Sequence, residues 1–215
     1  MDDRIKTMLN FVRAGSKVAD IGADHGYLSI ELAKSKRATK VIATEKNIHP
    51  FEALSKNILE SEVGNLVEVR LGDGLKVLSA GEVDTICIAG MGGALITKIL
   101  DESPETVKSA RRLILQPMNG IKKIRQWLAA NNWLIFDEDL AESGGIIYEI
   151  ICADEEFKGL KEFSRDKSEL REKFLIQRLR KLEKVISEME KSVEARKSDK
   201  YLALQAEIDT LRRLC

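Results

Sequence analysis

The chain predicts an α/β fold with a helical appendage: a doubly wound seven-stranded sheet whose last strand runs antiparallel, followed by an antiparallel helical coiled coil. Three observations predict it. Short apolar runs, most of them rich in Val and Ile, alternate with helical patterns from Lys17 to Ala153, as parallel strands covered by helices on both faces require. The last two runs are joined by Glu142-Ser143-Gly144-Gly145, too short for a crossover helix, so they pair as a hairpin. After Glu155 the apolar period changes to alternating steps of three and four, the seam of a coiled coil.

In chain order the strands fall at residues 17–21, 40–44, 66–71, 84–88 and 112–116, then 133–140 and 145–152. Gly, Pro, Asn or an acid bounds each of the first five. Helices fill the gaps at 26–35, 50–62, 92–101 and 121–131, and Pro50 suits a first helical turn, where no amide proton is needed. In the appendage Leu175, Leu179, Leu182, Ile186, Met189 and Val193 form one seam, and Tyr201, Leu204, Ile208, Leu211 and Cys215 a second. The polar Ser198-Asp199 between them is expected to turn the hairpin. The division predicted is a sheet domain of residues 1–154 and a helical domain of residues 155–215.

Composition narrows the function classes. With 35 basic and 35 acidic side chains, the molecule as a whole carries no field that advertises a nucleic-acid binder. The distribution is uneven: residues 1–154 hold 19 basic against 22 acidic side chains, and residues 155–215 hold 16 against 13, a tail friendlier to polyanions. Cys87, Cys152 and Cys215 are scattered, with no C-x-x-C pair, which suggests neither zinc nor disulfides and fits a reducing cytosol. The start, Met1-Asp2-Asp3-Arg4, has acid where an export signal is basic, and the uncharged stretch 85–97 is shorter than the roughly 20 residues of a membrane span. A cytoplasmic protein is expected.

The residues that carry chemistry stand at strand ends. Val18-Ala19-Asp20-Ile21-Gly22-Ala23-Asp24-His25-Gly26-Tyr27-Leu28 runs from a strand through a glycine-bearing turn into a helix, which lets a ligand approach backbone amides. A dinucleotide fingerprint would need glycine at the places of Gly22, Asp24 and Tyr27, and Asp24 would repel a pyrophosphate. A zwitterionic or cationic ligand tolerates that carboxylate; S-adenosylmethionine carries an ammonium and a sulfonium. A tight turn with no ligand stays open on this segment alone. Glu45 closes the second strand 25 residues after Asp20, the usual place for an acid that accepts both ribose hydroxyls, which nicotinamide cofactors and S-adenosylmethionine share.

Gly72-Asp73-Gly74 follows the third strand, where its carboxylate can accept a proton from an adenine amino group; alone it would read as a plain turn. Ala89-Gly90-Met91-Gly92-Gly93 follows the fourth, expected as an open loop whose glycines admit a flat base and whose Met91 offers it an apolar face. Gln116-Pro117-Met118-Asn119 follows the fifth, with amides able to read a base edge. Four adjoining strand ends made of small or polar residues outweigh four independent turns. His25 is a candidate ligand contact or a hydrogen-bonded core histidine, and His49 an exposed residue at a helix start. No nucleophile system and no metal-ligand cluster is readable, and no metal is required.

Taken together, Asp20-Ile21-Gly22-Ala23-Asp24-His25-Gly26-Tyr27, Arg70-Leu71-Gly72-Asp73-Gly74-Leu75, Ala89-Gly90-Met91-Gly92-Gly93 and Leu115-Gln116-Pro117-Met118 closely resemble, in order and spacing, the bacterial tRNA (adenine-N1)-methyltransferase family that modifies nucleotide 22. The resemblance runs through Tyr148-Glu149-Ile150, and the family also shows the appended helical hairpin. It implies a Rossmann-like methyltransferase domain, S-adenosylmethionine as cofactor, and a tRNA adenine as target. Residue by residue it implies that Asp20, Gly22 and Gly26 shape the methionine pocket, Glu45 holds the ribose, and Asp73 and Gly74 flank the cofactor's adenine. His25, Lys46, Gly90, Met91 and Gly92 complete the expected cofactor contacts.

The glycines from Gly90 to Gly93 stand where many amino-methylating relatives carry an Asn-Pro-Pro-aromatic motif. That departure is coherent, since ring N1 already offers an in-plane lone pair. The reaction implied is in-line attack of adenine N1 on the sulfonium methyl, accelerated chiefly by positioning. Asp24 is expected to stabilise the cationic product, with Tyr27 or Gln116 holding the base edge. The target base must first be exposed by unpairing or flipping. The basic tail, with Lys158, Lys161, Arg165, Lys167, Arg171, Arg178, Arg180, Lys181 and Lys184, is expected to grip phosphates, unless it is an ordinary solvated coiled-coil surface. A monomer is expected. Two other classes stay open: a nicotinamide-dependent oxidoreductase, weakened by the failed fingerprint, and a non-catalytic adaptor presenting its coiled coil.

Overall fold

The computed structural model describes residues 1–155 and 168–214. They form two compact units, one holding the sheet and the helices that cover it, the other the C-terminal helices. The sheet unit runs α1 (Asp3–Phe11), β1 (Ser16–Ile21), α2 (Tyr27–Lys34), β2 (Ala38–Glu45), α3 (Ile48–Glu60), β3 (Val67–Leu71), β4 (Thr85–Gly92), α4 (Gly93–Asp101), α5 (Pro104–Ser109), β5 (Arg112–Asn119), α6 (Ile121–Ala130), β6 (Leu134–Ser143) and β7 (Ile146–Asp154).

The seven strands lie in the order β3-β2-β1-β4-β5-β7-β6. The first five pair in parallel, and β7 inserts antiparallel beside β5, with Arg112 opposite Asp154 and Leu115 opposite Ile151. Alternate strand residues face opposite sides, so a sheet buried on both faces needs apolar residues at every position. Val18 and Val41 pack with α1, α2 and α3 in one core cluster, while Ala19 and Ile42 pack with α4, α5 and α6 in the other. Strand order reverses between β1 and β4, and ligands of open α/β sheets bind at that switch point, outside the carboxyl ends of the strands.

Three elements had no counterpart in the sequence reading: α1, α5 and a 3-10 turn at Gly74–Val77. In α1 the Asp2 side chain accepts the Arg4 amide at 2.8 Å, while Met8, Leu9 and Phe11 supply the buried face. The expected open loop after β4 is corrected. That strand continues to Gly92 and β5 continues to Asn119, with Met91 opposite Pro117 and Gly92 opposite Asn119 across two register shifts. Gly90, at φ +73°, absorbs the irregularity, so the glycine run is a bulged strand end.

In the helical unit α7 (Ser168–Met189) packs on α9 (Asp199–Leu214), with a short α8 (Val193–Arg196) between them. Leu175, Leu179, Leu182, Ile186 and Met189 are half-buried, as is Leu204, and Tyr201, Ile208 and Leu211 are buried, so the two seams face each other. Arg178 pairs with Glu207 at 2.6 Å and Arg212 with Glu183 at 2.9 Å. The break expected at Ser198-Asp199 is present, since α8 ends at Arg196 and α9 begins at Asp199, but an earlier one precedes it: α7 already ends at Met189, and Val193, 60% exposed, leaves the seam. The Ser192 hydroxyl accepts the Ala195 amide and caps α8, which a continuous helix would forbid. Of the basic tail residues, Lys158, Lys161, Arg165 and Lys167 lie outside the described residues, as does Cys215. Among the described residues no helix is long and apolar enough to cross a membrane.

Candidate active site

The turn after β1 is built from left-handed residues. Gly22, Asp24 and Gly26 have φ of +68°, +52° and +77°, and the amides of Gly22 and Ala23 both donate to the Thr44 carbonyl, at 2.9 and 3.0 Å. Two of these places exclude side chains by close approach. A Cβ on Gly22 would stand 2.2 Å from Met91 Cε, and one on Gly26 2.6 Å from Leu54 Cδ1. The turn thus packs against α3 on one side and the glycine run of β4 on the other. Asp24 adopts its left-handed conformation without that excuse, a strain of order 1 kcal/mol that places its carboxylate in the open.

Glu45, 9% exposed, is held by main-chain amides: Oε1 accepts Lys46 at 2.9 Å and Asn47 at 3.3 Å, and Oε2 accepts Asp24 at 3.4 Å. It joins the end of β2 to the turn after β1. Lys46 reaches across to Asp73 at 3.2 Å, and this hydrogen bond holds the Asp73 carboxyl below its ordinary range. Gly74 follows at the start of the 3-10 turn, backed by Ile99. His25 and Tyr27 project from the turn, with ring centroids 5.7 Å apart, and Tyr27 is 61% exposed. His25 Nε2 lies 3.9 Å from Asp24 Oδ1, and the Asn57 side chain donates to the His25 carbonyl at 3.0 Å.

Gln116 is fully buried beneath the glycine run; its Oε1 accepts the Gly90 amide at 3.2 Å, while its Nε2 finds no partner among the described residues. Thr44 Oγ1 is likewise buried, with no partner among the described residues. The structure therefore brings Asp20, Gly22, Asp24, His25, Gly26, Glu45, Gly90, Met91 and Gln116 to one sheet edge, with Lys46, Asp73 and Gly74 beside them. Gly92 stands next to Asn119, whose Oδ1 lies 3.3 Å from where its Cβ would be. Sequence reasoning missed Thr44 and Ser29. Thr44 was legible only as the residue before Glu45, and Ser29 as the one hydroxyl on the buried face of α2.

Asp20 sits beneath the turn and accepts the Ser29 hydroxyl at 2.6 Å. Burial pushes its carboxyl from the ordinary 3.8 up to about 6, against the Ser29 bond, which lowers it. With the folded value raised above the unfolded one, the ionised side chain burdens the fold by roughly 3 kcal/mol above pH 6, and the burden lifts as pH falls towards 4. Asp20→Asn is therefore expected to be more stable than the parent at pH 7 by about 1–2 kcal/mol. The difference should close between pH 6 and pH 4. Urea titrations of both proteins across that range check it, and stability curves that stay parallel would refute the buried charge.

A sheet of this order, with an acid at the end of β2 and glycine-rich backbone at the switch point, defines a Rossmann-like methyltransferase domain. The methyltransferase-domain family matches residues 1–151. The tRNA (adenine(22)-N(1))-methyltransferase of Bacillus subtilis strain 168 is 37% identical over 154 residues, 72% of this chain; the matched region spans 65% of that enzyme, just under two thirds. Over 99% of the chain, the crystal structure of the B. subtilis m1A22 tRNA methyltransferase TrmK superposes with a TM-score of 0.83 at 28% identity, covering 97% of that protein. A Streptococcus pneumoniae protein assigned as a tRNA (m1A22) methyltransferase, in complex with S-adenosyl-L-methionine, superposes with a TM-score of 0.77 at 30% identity, covering 99% of this chain and 98% of that one. The chain belongs to the bacterial tRNA (adenine-22-N1)-methyltransferase family.

Proposed function

We propose that this chain transfers the methyl group of S-adenosylmethionine to N1 of the adenine at position 22 of tRNA. The observation that carries the reading is the row of strand ends around the switch point: Glu45 closes β2 with its carboxylate on main-chain amides, Asp73 follows β3, and Gly90 of β4 has open space where a side chain would stand. The residues fit this cofactor: an acid for its ribose, a second acid for its adenine, and carboxylates rather than lysines around a cationic centre. When bound, it supplies a methyl group on positively charged sulfur. The B. subtilis and S. pneumoniae relatives support the choice of cofactor and base.

Glu45 accepts the ribose hydroxyls, and Lys46, Asp73 and Gly74 frame the adenine. Asp20, Gly22, His25 and Gly26 shape the end that takes the amino acid moiety, with Gly90, Met91 and Gly92 forming the opposite wall. Asp24, its side chain 69% exposed, faces the incoming base and stabilises the positive charge that N1 acquires. Of the two residues expected to hold the base edge, Tyr27 is the accessible one. Gln116 lies under the run and acts by fixing Gly90. Residues 1–154 carry the chemistry, and the tail 155–215 steadies the tRNA through Arg171, Arg180, Lys181 and Lys184, all exposed, whereas Arg178 is occupied by Glu207. The protein acts as a monomer in the cytoplasm.

The test is direct. Incubated with unmodified tRNA and methyl-labelled cofactor, the protein should label adenine 22, and calorimetry should register S-adenosylmethionine but not NAD. An unlabelled tRNA, or heat on adding NAD alone, would overturn the reading.

A further inference from the structure

We propose that the first turn of α6, with the groove between α4 and α6, is a second phosphate grip for the RNA substrate, built on the catalytic domain and independent of the tail. The inference rests on the function proposed above. Helices α4 and α6 both begin at the edge of the sheet that carries the site, immediately after the bulged ends of β4 and β5. Their starts touch backbone to backbone: a Cβ on Gly93 would stand 2.5 Å from the Gly120 carbonyl oxygen. Between them runs a groove of about 470 Å³ with Thr97, Lys98, Lys123 and Trp127 in its lining.

Charge accounting shows which side chains are free to meet a polyanion. Of the two acids in the groove, Glu102 is paired with lysines, while Asp101 is held by a neutral donor and keeps its charge, so the surplus cation at this edge comes from the first turn of α6. Asp101 accepts the Trp127 indole N–H at 2.6 Å, and Glu102 accepts Lys76 at 2.5 Å and Lys98 at 3.6 Å. The cations at this edge are committed as well: Lys46 and Lys76 to Asp73, and Arg125 to Glu138 at 2.5 Å. Lys122 and Lys123, both exposed, are the exceptions, with no ion pair among the described residues. A pair of unneutralised lysines follows Met118 and Asn119, both exposed, at the lip where a base must enter. An adenine drawn into the crevice brings its own backbone with it, and among the described residues the phosphates flanking that nucleotide meet no other unpaired lysine or arginine at this lip.

Phosphate contacts contribute affinity through counterion release, so they are read by salt dependence and leave the cofactor site untouched. The experiment compares the full chain with Lys122→Ala/Lys123→Ala, and uses Lys17→Ala/Lys34→Ala, two exposed lysines at the opposite edge, as the control. The expected result is a loss of about tenfold in tRNA affinity at near-physiological salt, and a log–log salt slope shallower by roughly 1 to 2. S-adenosylmethionine affinity and the rate at saturating tRNA should not change, and the control should behave as the parent. An α6 variant with parental affinity and slope, or a control that loses as much, would overturn the grip while the parent still methylates tRNA. A parent that neither binds nor methylates tRNA would sink the grip together with the function.

Discussion

Glu45→Gln is expected to weaken S-adenosylmethionine binding by about a hundredfold while leaving the domain folded. A carboxylate offers about four lone-pair positions. In Glu45 three face main-chain amides, from Lys46 at 2.9 Å, Asn47 at 3.3 Å and Asp24 at 3.4 Å. The free position on Oε2 takes one ribose hydroxyl, and the long Asp24 contact is the one that yields to a second. A glutamine keeps the shape but has one accepting oxygen. Whichever way its amide turns, an NH2 group faces either the strand-end amides or the ribose hydroxyls. Losing two charge-assisted bonds worth about 1.5–3 kcal/mol each, offset by partial rehydration, leaves roughly 3 kcal/mol. Isothermal calorimetry reads the affinity and circular dichroism the fold; a dissociation constant within threefold of the parent would show that Glu45 serves the turn and not the cofactor.

The same residue shows what a sequence can and cannot reveal. That an acid closes β2 follows from the strand pattern and from Asp20 lying 25 residues earlier, both legible without coordinates. That three amides converge on it does not, because the Asp24 amide points there only through the left-handed turn. The sheet was legible because strands buried on both faces write continuous apolar runs. Helix α1 escaped because its buried face is short and its start is marked by a single capping aspartate. The extension of β4 through Gly92 ran against local preference, since three glycines in four residues favour a loop; pairing with β5 overrides them.

Gln116 makes the same point at the site. Its type suggested a group that reads a base, and only the packing shows it buried beneath the run, with its oxygen on Gly90. In the tail, the heptad steps and the polar Ser198-Asp199 marked two facing seams and the break before α9, but not the earlier break after Met189. Val193 satisfies the period as well as Met189 does, and the capping hydroxyl of Ser192 decides between them.

Asp154→Ala should lower the stability of the sheet domain by about 3–5 kcal/mol and the melting temperature by roughly 10 °C or more. Asp154, at the end of β7, accepts Nε and Nη2 of Arg112 at 2.7 Å each and Nη2 of Arg13 at 2.7 Å. Arg112 is itself buried, donates to the Phe11 carbonyl at 2.5 Å and lies over the Phe136 ring at 4.9 Å from its centroid. One carboxylate thus links β5, β7 and the loop that leaves α1. Removing it strands a guanidinium inside the protein with two donors unmet, and an arginine cannot shed its proton to escape. Arg112→Met/Asp154→Leu removes both charges and should recover most of the loss, since matched apolar residues replace buried pairs at little cost. The pair stands at the amino end of β5, across the sheet from the site, so cofactor affinity measured well below the transition should not change. Differential scanning calorimetry of the three proteins decides the matter: a single variant within about 1 kcal/mol of the parent, or a double variant no better than the single, would mean that the buried charge is not what the fold depends on.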